Sequence, residues 1–158
     1  MMAKVYLETS FVSYLVARRS RDLIVAARQQ LTNDWWENQR GNHDLFISEM
    51  VLREARDGDP DEVVKRLKAM DGFAQLDLTG EVAQLADQLL TRKVLPLKAA
   101  RDAVHIAAAT VHQMDYLLTW NFKHIANAHI RRMVDRVFRQ AGYEVPLIVS
   151  PEELEESQ

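Results

Sequence analysis

Acidic and amide side chains recur in this sequence at places where predicted strands end. Glu8 follows a short β-rich run, Glu54 belongs to the helix after the second strand, and Asn121 follows the fourth strand. Asp102 lies in the first turns of the helix that leads into that fourth strand. In an open α/β sheet, binding sites form beyond the carboxyl ends of the strands. We therefore expect three carboxylates and one amide to gather at one edge of a sheet.

The chemistry that such a cluster supports is divalent-cation chemistry. Oxygen ligands favour Mg²⁺ or Mn²⁺, and two such ions about 3.5–4 Å apart can activate a water and stabilise the leaving oxygen during phosphodiester cleavage. The sequence has 0 cysteines, which excludes disulfides, thiolate nucleophiles, zinc fingers and iron–sulfur clusters. A glycine-rich phosphate loop, a Gly-x-Ser-x-Gly elbow and a His-Glu-x-x-His motif are absent as well. Any bound metal must therefore use oxygen or imidazole ligands.

The helical pattern around Asp102 places its carboxylate at the edge of an apolar surface. One apolar stripe of the helix consists of Ala100, Val104, Ala107 and Val111. Asp102 points away from this stripe, but Ile106 and Ala109 flank it on its own side. Such a carboxylate is costly unless it is paired or metal-bound. Two interpretations stay open, a metal ligand or a surface pair with Lys98. We interpret His105 as a histidine at the edge of the core.

Strand and helix patterns alternate along the whole chain. The strand patterns cover residues 4–7, 45–48, 73–78, 116–119 and 147–149. After a first helix capped by Thr9 or Ser10, the helical patterns cover residues 22–38, 49–56, 59–72, 81–92, 98–113 and 129–141. This alternation predicts one α/β domain over residues 1–158, with a mainly parallel central sheet of four to five strands that is covered on both faces.

The helix over residues 22–38 predicts an apolar side and a pair of adjacent tryptophans. The apolar side consists of Leu23, Ala27, Gln30, Leu31 and Trp35. Trp35 and Trp36 are neighbours on the helix and therefore face different directions. We expect one of them in the core and the other at a contact with a partner.

Composition bounds the class of protein. A chain of 158 residues is long enough for one core, and a net charge of −3 argues against a protein that grips nucleic acid over its whole surface. A local basic segment contains Lys123, Arg131, Arg132, Arg136 and Arg139, which is either a patch for RNA or a solvated helix face. The start leads directly into a strand pattern and no apolar run is long enough for a membrane span, so the cytoplasm is the expected location.

Four segments of the chain resemble, in order and in spacing, the motifs of the PIN-domain family. Residues 5–10 resemble the opening strand and acid, and residues 47–54 resemble the second motif, in which a glutamate lies six residues after a strand-end serine. Residues 102–107 resemble the Asp-Ala start of an Ala-rich helix, and residues 115–121 resemble the strand that ends in Thr-x-Asp/Asn. The chain is most similar in pattern to the VapC-like toxin ribonucleases of type II toxin–antitoxin systems. The resemblance implies a three-layer α/β/α fold.

The same resemblance implies roles for the polar residues. It makes Glu8, Glu54 and Asp102 the metal-binding acids of a site for one or two Mg²⁺ or Mn²⁺ ions, with Asn121 as the fourth catalytic position. Two positions depart from the family pattern. Glu8 replaces the usual Asp and reaches one methylene further, and Asn121 coordinates without a charge. These departures fit either a subgroup with a weak or absent second metal, or an inactive domain.

Further positions follow from the resemblance with supporting roles. Ser10 and Thr119 would orient ligands or a metal-bound water. Glu49 is either an additional ligand or an acid favoured in the first turn by the helix dipole. The RNA backbone would be bound by basic residues, which are Lys123, Arg131 and Arg132.

Three functional hypotheses follow. The first is an Mg²⁺- or Mn²⁺-dependent endoribonuclease that acts as a toxin, pairs with an antitoxin protein and forms a homodimer. The second is a catalytically degenerate PIN-like module that binds RNA or a protein partner. The third is a metal-dependent phosphohydrolase of small molecules, which would need a deep closed pocket where the first needs an open groove.

Overall fold

The computed structural model describes residues 2–155 and has a five-stranded sheet at its centre. Its strands are β1 (Ala3–Leu7), β2 (His43–Ser48), β3 (Ala74–Leu76), β4 (Tyr116–Leu118) and β5 (Leu147–Val149). The strand order is β3-β2-β1-β4-β5, and every neighbouring pair is parallel. This arrangement confirms the predicted parallel α/β sheet.

Helices cover both faces of this sheet. They are α1 (Thr9–Val16), α2 (Leu23–Gln39), α3 (Glu49–Ala55), α4 (Pro60–Ala69), α5 (Gly80–Thr91), α6 (Ala100–Val111) and α7 (Ala128–Gln140). Helix α1 packs against α2, α3 and α4, whereas α5 packs against α6 and α7. The result is the expected three-layer α/β/α architecture. Within residues 2–155, none of the helices has the length and apolar character that a membrane crossing requires.

The sheet has its topological switch point at β1. This strand pairs with β2 on one side and with β4 on the other; the chain runs from β1 outward to β2 and β3, then crosses back to β4 and β5 on the other side. At its carboxyl end the backbone N–H of Glu8 donates to the Leu118 carbonyl at 3.1 Å, and that of Thr119 donates to Val149 at 3.0 Å. Ligand sites of open α/β sheets lie at such a switch point. Glu8 and Thr119 are therefore held side by side where a site is expected.

The buried side of α2 differs from the predicted one. The residues that we expected on the apolar side but that are exposed are Leu23, Ala27 and Gln30. The helix buries Gln29, Thr32 and Trp35 instead. Gln29 accepts from the Ser20 backbone at 2.9 Å, and Thr32 accepts from Trp120 Nε1 at 2.7 Å. These buried polar side chains each have a hydrogen-bond partner within the protein, which hydropathy does not record.

The two adjacent tryptophans differ in burial. Trp35 is buried, stacks on the His43 ring and donates from Nε1 to the Leu154 carbonyl at 2.9 Å. Trp36 is half-buried between Phe11 and Phe73. The sequence predicted one of the pair in the core, and Trp35 is that residue; the predicted contact of the other with a partner stays a prediction.

Candidate active site

Glu8 connects the ends of β1 and β4 through its carboxylate. It caps helix α1, is buried, and accepts from Ser10 at the backbone N (2.7 Å) and the hydroxyl (2.8 Å). Thr119 donates its hydroxyl to Glu8 Oε1 at 2.6 Å. The Ser10 hydroxyl also accepts from the Trp120 backbone N–H at 2.8 Å. Ser10 and Thr119 therefore fix the orientation of the Glu8 carboxylate, which is compatible with the supporting role that the resemblance implied for both.

Glu54, near the end of α3, belongs to a buried chain of hydrogen bonds. Its Oε1 accepts from Thr9 Oγ1 at 2.8 Å and forms a second, short hydrogen bond with His105 Nε2. The other ring nitrogen, His105 Nδ1, lies 2.7 Å from the Tyr6 hydroxyl, which in turn lies 2.7 Å from Ser48 Oγ. This network connects β1, β2, α3 and α6 and fixes the orientation of the Glu54 carboxylate from the buried His105.

His105 is subject to opposing effects on its pKa. Burial pushes the pKa of His105 down, but its hydrogen bond to Glu54 and the negative charges of Glu8, Glu54 and Asp102 outweigh burial and raise the pKa above its usual value. Burial also raises the pKa of Glu54, but the hydrogen bond and charge of His105 outweigh burial and lower it. Burial raises the pKa of Tyr6, which stays a neutral hydroxyl. Glu54 and His105 thus behave as an ion pair.

Asp102 is held from the segment that follows β4. Its Oδ1 accepts from Asn121 Nδ2 at 3.1 Å, and its Oδ2 lies 3.2 Å from His124 Nδ1. Asn121 also accepts from the His124 backbone N–H at 3.0 Å, so the two partners of Asp102 are bonded to each other. Burial and the charge of Glu54 raise the pKa of Asp102 although two histidines oppose the shift. The partners of Asp102 are thus Asn121 and His124, not Lys98.

The side chains do not converge into a ready-made metal cage. Within residues 2–155, no group of three or more His, Asp or Glu side chains is arranged to hold a metal ion. Each of the three acids is instead turned toward its own protein donors. Glu49 lies apart from them, with ion pairs to Arg53 at 3.8 Å and Arg56 at 3.5 Å. This placement favours the surface interpretation of Glu49 over that of an additional ligand.

The predicted basic residues separate into two regions. Lys123 is exposed and lies two residues after Asn121, in the segment that follows β4. Arg131 donates to the Ile148 carbonyl at 3.1 Å and lines a cavity with Ala3 and other residues at the opposite, amino-terminal ends of the strands. Arg132 is exposed one residue further along α7. The structure therefore places Arg131 away from the acids, at the other end of the strands.

Several residues of the site were not identified from the sequence. They are Tyr6, Thr9, Ser48, His105 and His124, which belong to the hydrogen-bonded networks around the acids. Two signals were present. A tyrosine in the middle of an apolar strand needs a buried partner for its hydroxyl. A histidine three residues after Asp102 lies on the same side of the helix.

Comparisons with known proteins agree with this geometry. The family model of the PIN domain matches residues 5–128. Among curated proteins, none matches the sequence significantly. Among solved structures, VapBC2 from Rickettsia felis, bound to a DNA fragment from its promoter, aligns with a TM-score of 0.60 at 14% identity and covers 93% of this chain and 98% of that one. That likeness shows a shared fold. Because the family model spans most of the chain and all four motif segments, the chain belongs to the PIN-domain family.

Proposed function

We propose that this protein is a divalent-metal-dependent endoribonuclease and the toxin of a toxin–antitoxin pair. The observation that carries the proposal is that Glu8 lies at the end of β1, that Glu54 is hydrogen-bonded to the buried His105, and that Asp102 lies one turn before His105 on α6. Partly buried carboxylates that lie close together lower the stability of the fold unless positive charges or a bound cation compensate them, and such clusters are typical of functional sites. The solved structure with the same fold is a complex named VapBC2, which supports the toxin assignment by analogy.

The donor set fits Mg²⁺ or Mn²⁺ by its chemistry. Glu8, Glu54 and Asp102 would hold the cation, with the Asn121 amide oxygen as a neutral neighbour. Among the described residues, both hydrogen bonds to Glu54 end on Oε1, which leaves Oε2 for a ligand. Burial and the charge of Glu54 raise the pKa of Asp102, and a bound cation would offset both effects. When bound, the cation supplies charge neutralisation at the scissile phosphate and a more acidic water for its hydrolysis.

The chain's own residues orient this donor set. Ser10 and Thr119 hold the Glu8 carboxylate at the end of β1, and His105 holds Glu54 from the buried side. Asn121 and His124, in the segment after β4, fix the orientation of Asp102. Since three separate elements fix the acids, little reorganisation is needed on binding RNA, which lowers the barrier.

Substrate and partners are part of the same proposal. The exposed Lys123, two residues after Asn121, would bind an RNA phosphate. An antitoxin protein would hold the enzyme inactive, a homodimer would be the functional unit, and the RNA substrate would be met in the cytoplasm. No base sequence preference is assigned.

A second candidate function is a PIN-like binding module without catalysis. It is favoured by the same carboxylates, because each one already accepts hydrogen bonds from protein donors and no metal cage is preformed within residues 2–155. Glu8 and Asn121, the two departures from the family pattern, would then be the residues that disabled the site.

The experiment that separates the two functions is cleavage of an unstructured, fluorescently labelled single-stranded RNA by purified protein in Mn²⁺. The test variant is Asp102→Asn, and the matched control is Asp87→Asn, which changes an exposed acid on α5. The nuclease requires that Asp102→Asn lowers the cleavage rate at least about a hundredfold, since even indirect partners of a metal cost 10–100-fold. EDTA must abolish cleavage and Asp87→Asn must leave it unchanged. Cleavage that survives Asp102→Asn refutes the assignment, and absence of cleavage and of Mn²⁺ binding supports the module.

A further inference from the structure

An open groove of about 390 Å³ lies beside the acids, between the first turns of α2 and the segment after β4. Its lining includes Leu23, Ile24, Arg28, Phe122 and Glu152. Leu23 is 85% exposed, Ile24 65% and Phe122 39%. Large apolar side chains gathered on one exposed surface indicate a binding site rather than a solvated face.

The groove contains a stack of an arginine on aromatic rings. The guanidinium carbon of Arg28 lies 5.1 Å from the centre of the Phe122 ring and 5.7 Å from that of Trp120. The two rings meet edge to face at 6.0 Å. Trp120 is itself fixed, because its Nε1 donates to Thr32 Oγ1 at 2.7 Å. A planar cation and an exposed ring are therefore held in place before any ligand arrives.

This stack is continuous with the candidate active site. Trp120 and Phe122 are the two neighbours of Asn121, which donates to Asp102. The Trp120 backbone N–H donates to the Ser10 hydroxyl, which is bonded to Glu8. A chain that crosses the acids therefore reaches the groove within a short distance.

We infer that this groove is a stacking subsite for an unpaired nucleobase of a single-stranded RNA, next to the bond that is cleaved. The inference rests on the proposed ribonuclease function and names how its substrate is held. Unpaired bases stack on aromatic rings and on arginine planes, and the contact tolerates any base sequence.

The chemistry of the lining favours a base over a phosphate or a peptide. The apolar walls cannot solvate a phosphate, and the carboxylate of Glu152 repels it. The same carboxylate can accept hydrogen bonds from the amino groups on the edge of a base. The exposed Arg18, Arg19 and Arg21 precede α2 and provide positive charge for the backbone of the same strand. An apolar segment of a protein would use Leu23 and Ile24 but gains nothing from this charge or from the continuity with the acids.

The test uses an RNA oligonucleotide that carries the fluorescent base 2-aminopurine, with binding measured in EDTA so that no cleavage occurs. Stacking quenches the fluorescence of this base. Phe122→Ala is expected to raise the Kd about five- to 150-fold and to restore the emission, since base–aromatic stacking contributes that much. Phe122→Tyr keeps the ring and should bind like the wild type. Leu147→Ala, a change at an apolar side chain that is more exposed (64% against 39% for Phe122) and lies at the amino-terminal end of β5, is the control.

Each outcome decides between the possibilities. A Kd and an emission that Phe122→Ala leaves within twofold of the control overturn the subsite. If Phe122→Ala leaves RNA binding unchanged but alters the oligomeric mass of the protein, measured by light scattering, the groove is a protein contact and the subsite is also overturned. If Mn²⁺-dependent cleavage is present and Phe122→Ala leaves it intact, the nuclease stands and the subsite fails. If cleavage is absent but Phe122→Ala still abolishes stacking, the subsite stands and the nuclease fails.

Discussion

Two acids of the same cluster are expected to have opposite effects on stability when they are neutralised. Burial and the charge of Glu54 raise the pKa of Asp102, so the folded protein disfavours its ionised form. The pKa of Glu54 is lowered by His105, so the folded protein favours the ionised form of Glu54. At neutral pH, Asp102→Asn should therefore stabilise the metal-free protein, and Glu54→Gln should destabilise it.

The magnitudes follow from the contacts. In Asp102→Asn the amide oxygen can still accept from Asn121 and its NH₂ can donate to His124, so the change chiefly removes a charge that burial disfavours; we expect a gain of about 0.5–1 kcal/mol, within the range of ordinary single substitutions. In Glu54→Gln the amide oxygen keeps both hydrogen bonds of Oε1 but loses their charge assistance, about 1–2 kcal/mol. For a chain of this length, each kcal/mol shifts the Tm by about 2–4 °C.

The assay is thermal unfolding followed by circular dichroism at pH 7 in EDTA, with Asp87→Asn as the exposed control. Relative to the wild type, Asp102→Asn should raise the Tm by about 1–4 °C and Glu54→Gln should lower it by about 2–8 °C. The control should lie within about 0.5 kcal/mol of the wild type. If Asp102→Asn and Glu54→Gln lower the Tm equally, the burial of Asp102 does not disfavour its charge as we infer, and the argument from the two opposite pKa shifts is wrong.

Three further predictions concern the partners of the acids. The pKa of Glu54 is lowered, so the stability that it contributes is lost as the pH falls through this pKa; the pKa of His105 is raised, so its contribution is lost as the pH rises through that pKa. Thermal melts at a series of pH values should therefore show the full contribution of the pair between about pH 4.3 and 6.5, the ordinary pKa values of the two groups. Glu54→Gln should flatten this pH profile. Tyr6→Phe removes the hydroxyl that bonds His105 Nδ1 and should cost about 1–3 kcal/mol in urea unfolding, whereas an unchanged midpoint would contradict the network. Ser10→Ala removes one donor to Glu8 and should cost about 1–2 kcal/mol in the same assay, with Ser10→Thr close to the wild type if the hydroxyl is what matters.

The layout of the fold was predictable because its signals are local. Strand and helix periods, caps and breaks lie within a few residues of each other, and parallel strands bring their carboxyl ends to one edge. Glu8 and Asn121 could therefore be assigned to that edge from their positions after β1 and β4. The pairing of strands then placed them together.

The partners of the acids were not predictable because they depend on contacts between distant segments. His105 was interpreted as a histidine at the core edge, but its bond to Glu54 joins residues 51 positions apart. The polar residues buried on α2 likewise depend on a partner such as Trp120, far along the chain. The charge pattern of α7 could not show that Arg131 lies at the other end of the sheet. Periodicity finds a face of a helix, but only the folded structure shows what that face contacts.

The central claim is that the three acids form a cation site. Its most direct test is calorimetric titration of the purified protein with Mn²⁺ at neutral pH. We predict binding by the wild type, a loss of affinity of at least about tenfold in Asp102→Asn and in Glu54→Gln, and wild-type affinity in Asp87→Asn. An absence of Mn²⁺ binding at millimolar concentration, or an affinity that neither change at the cluster alters, would contradict the account.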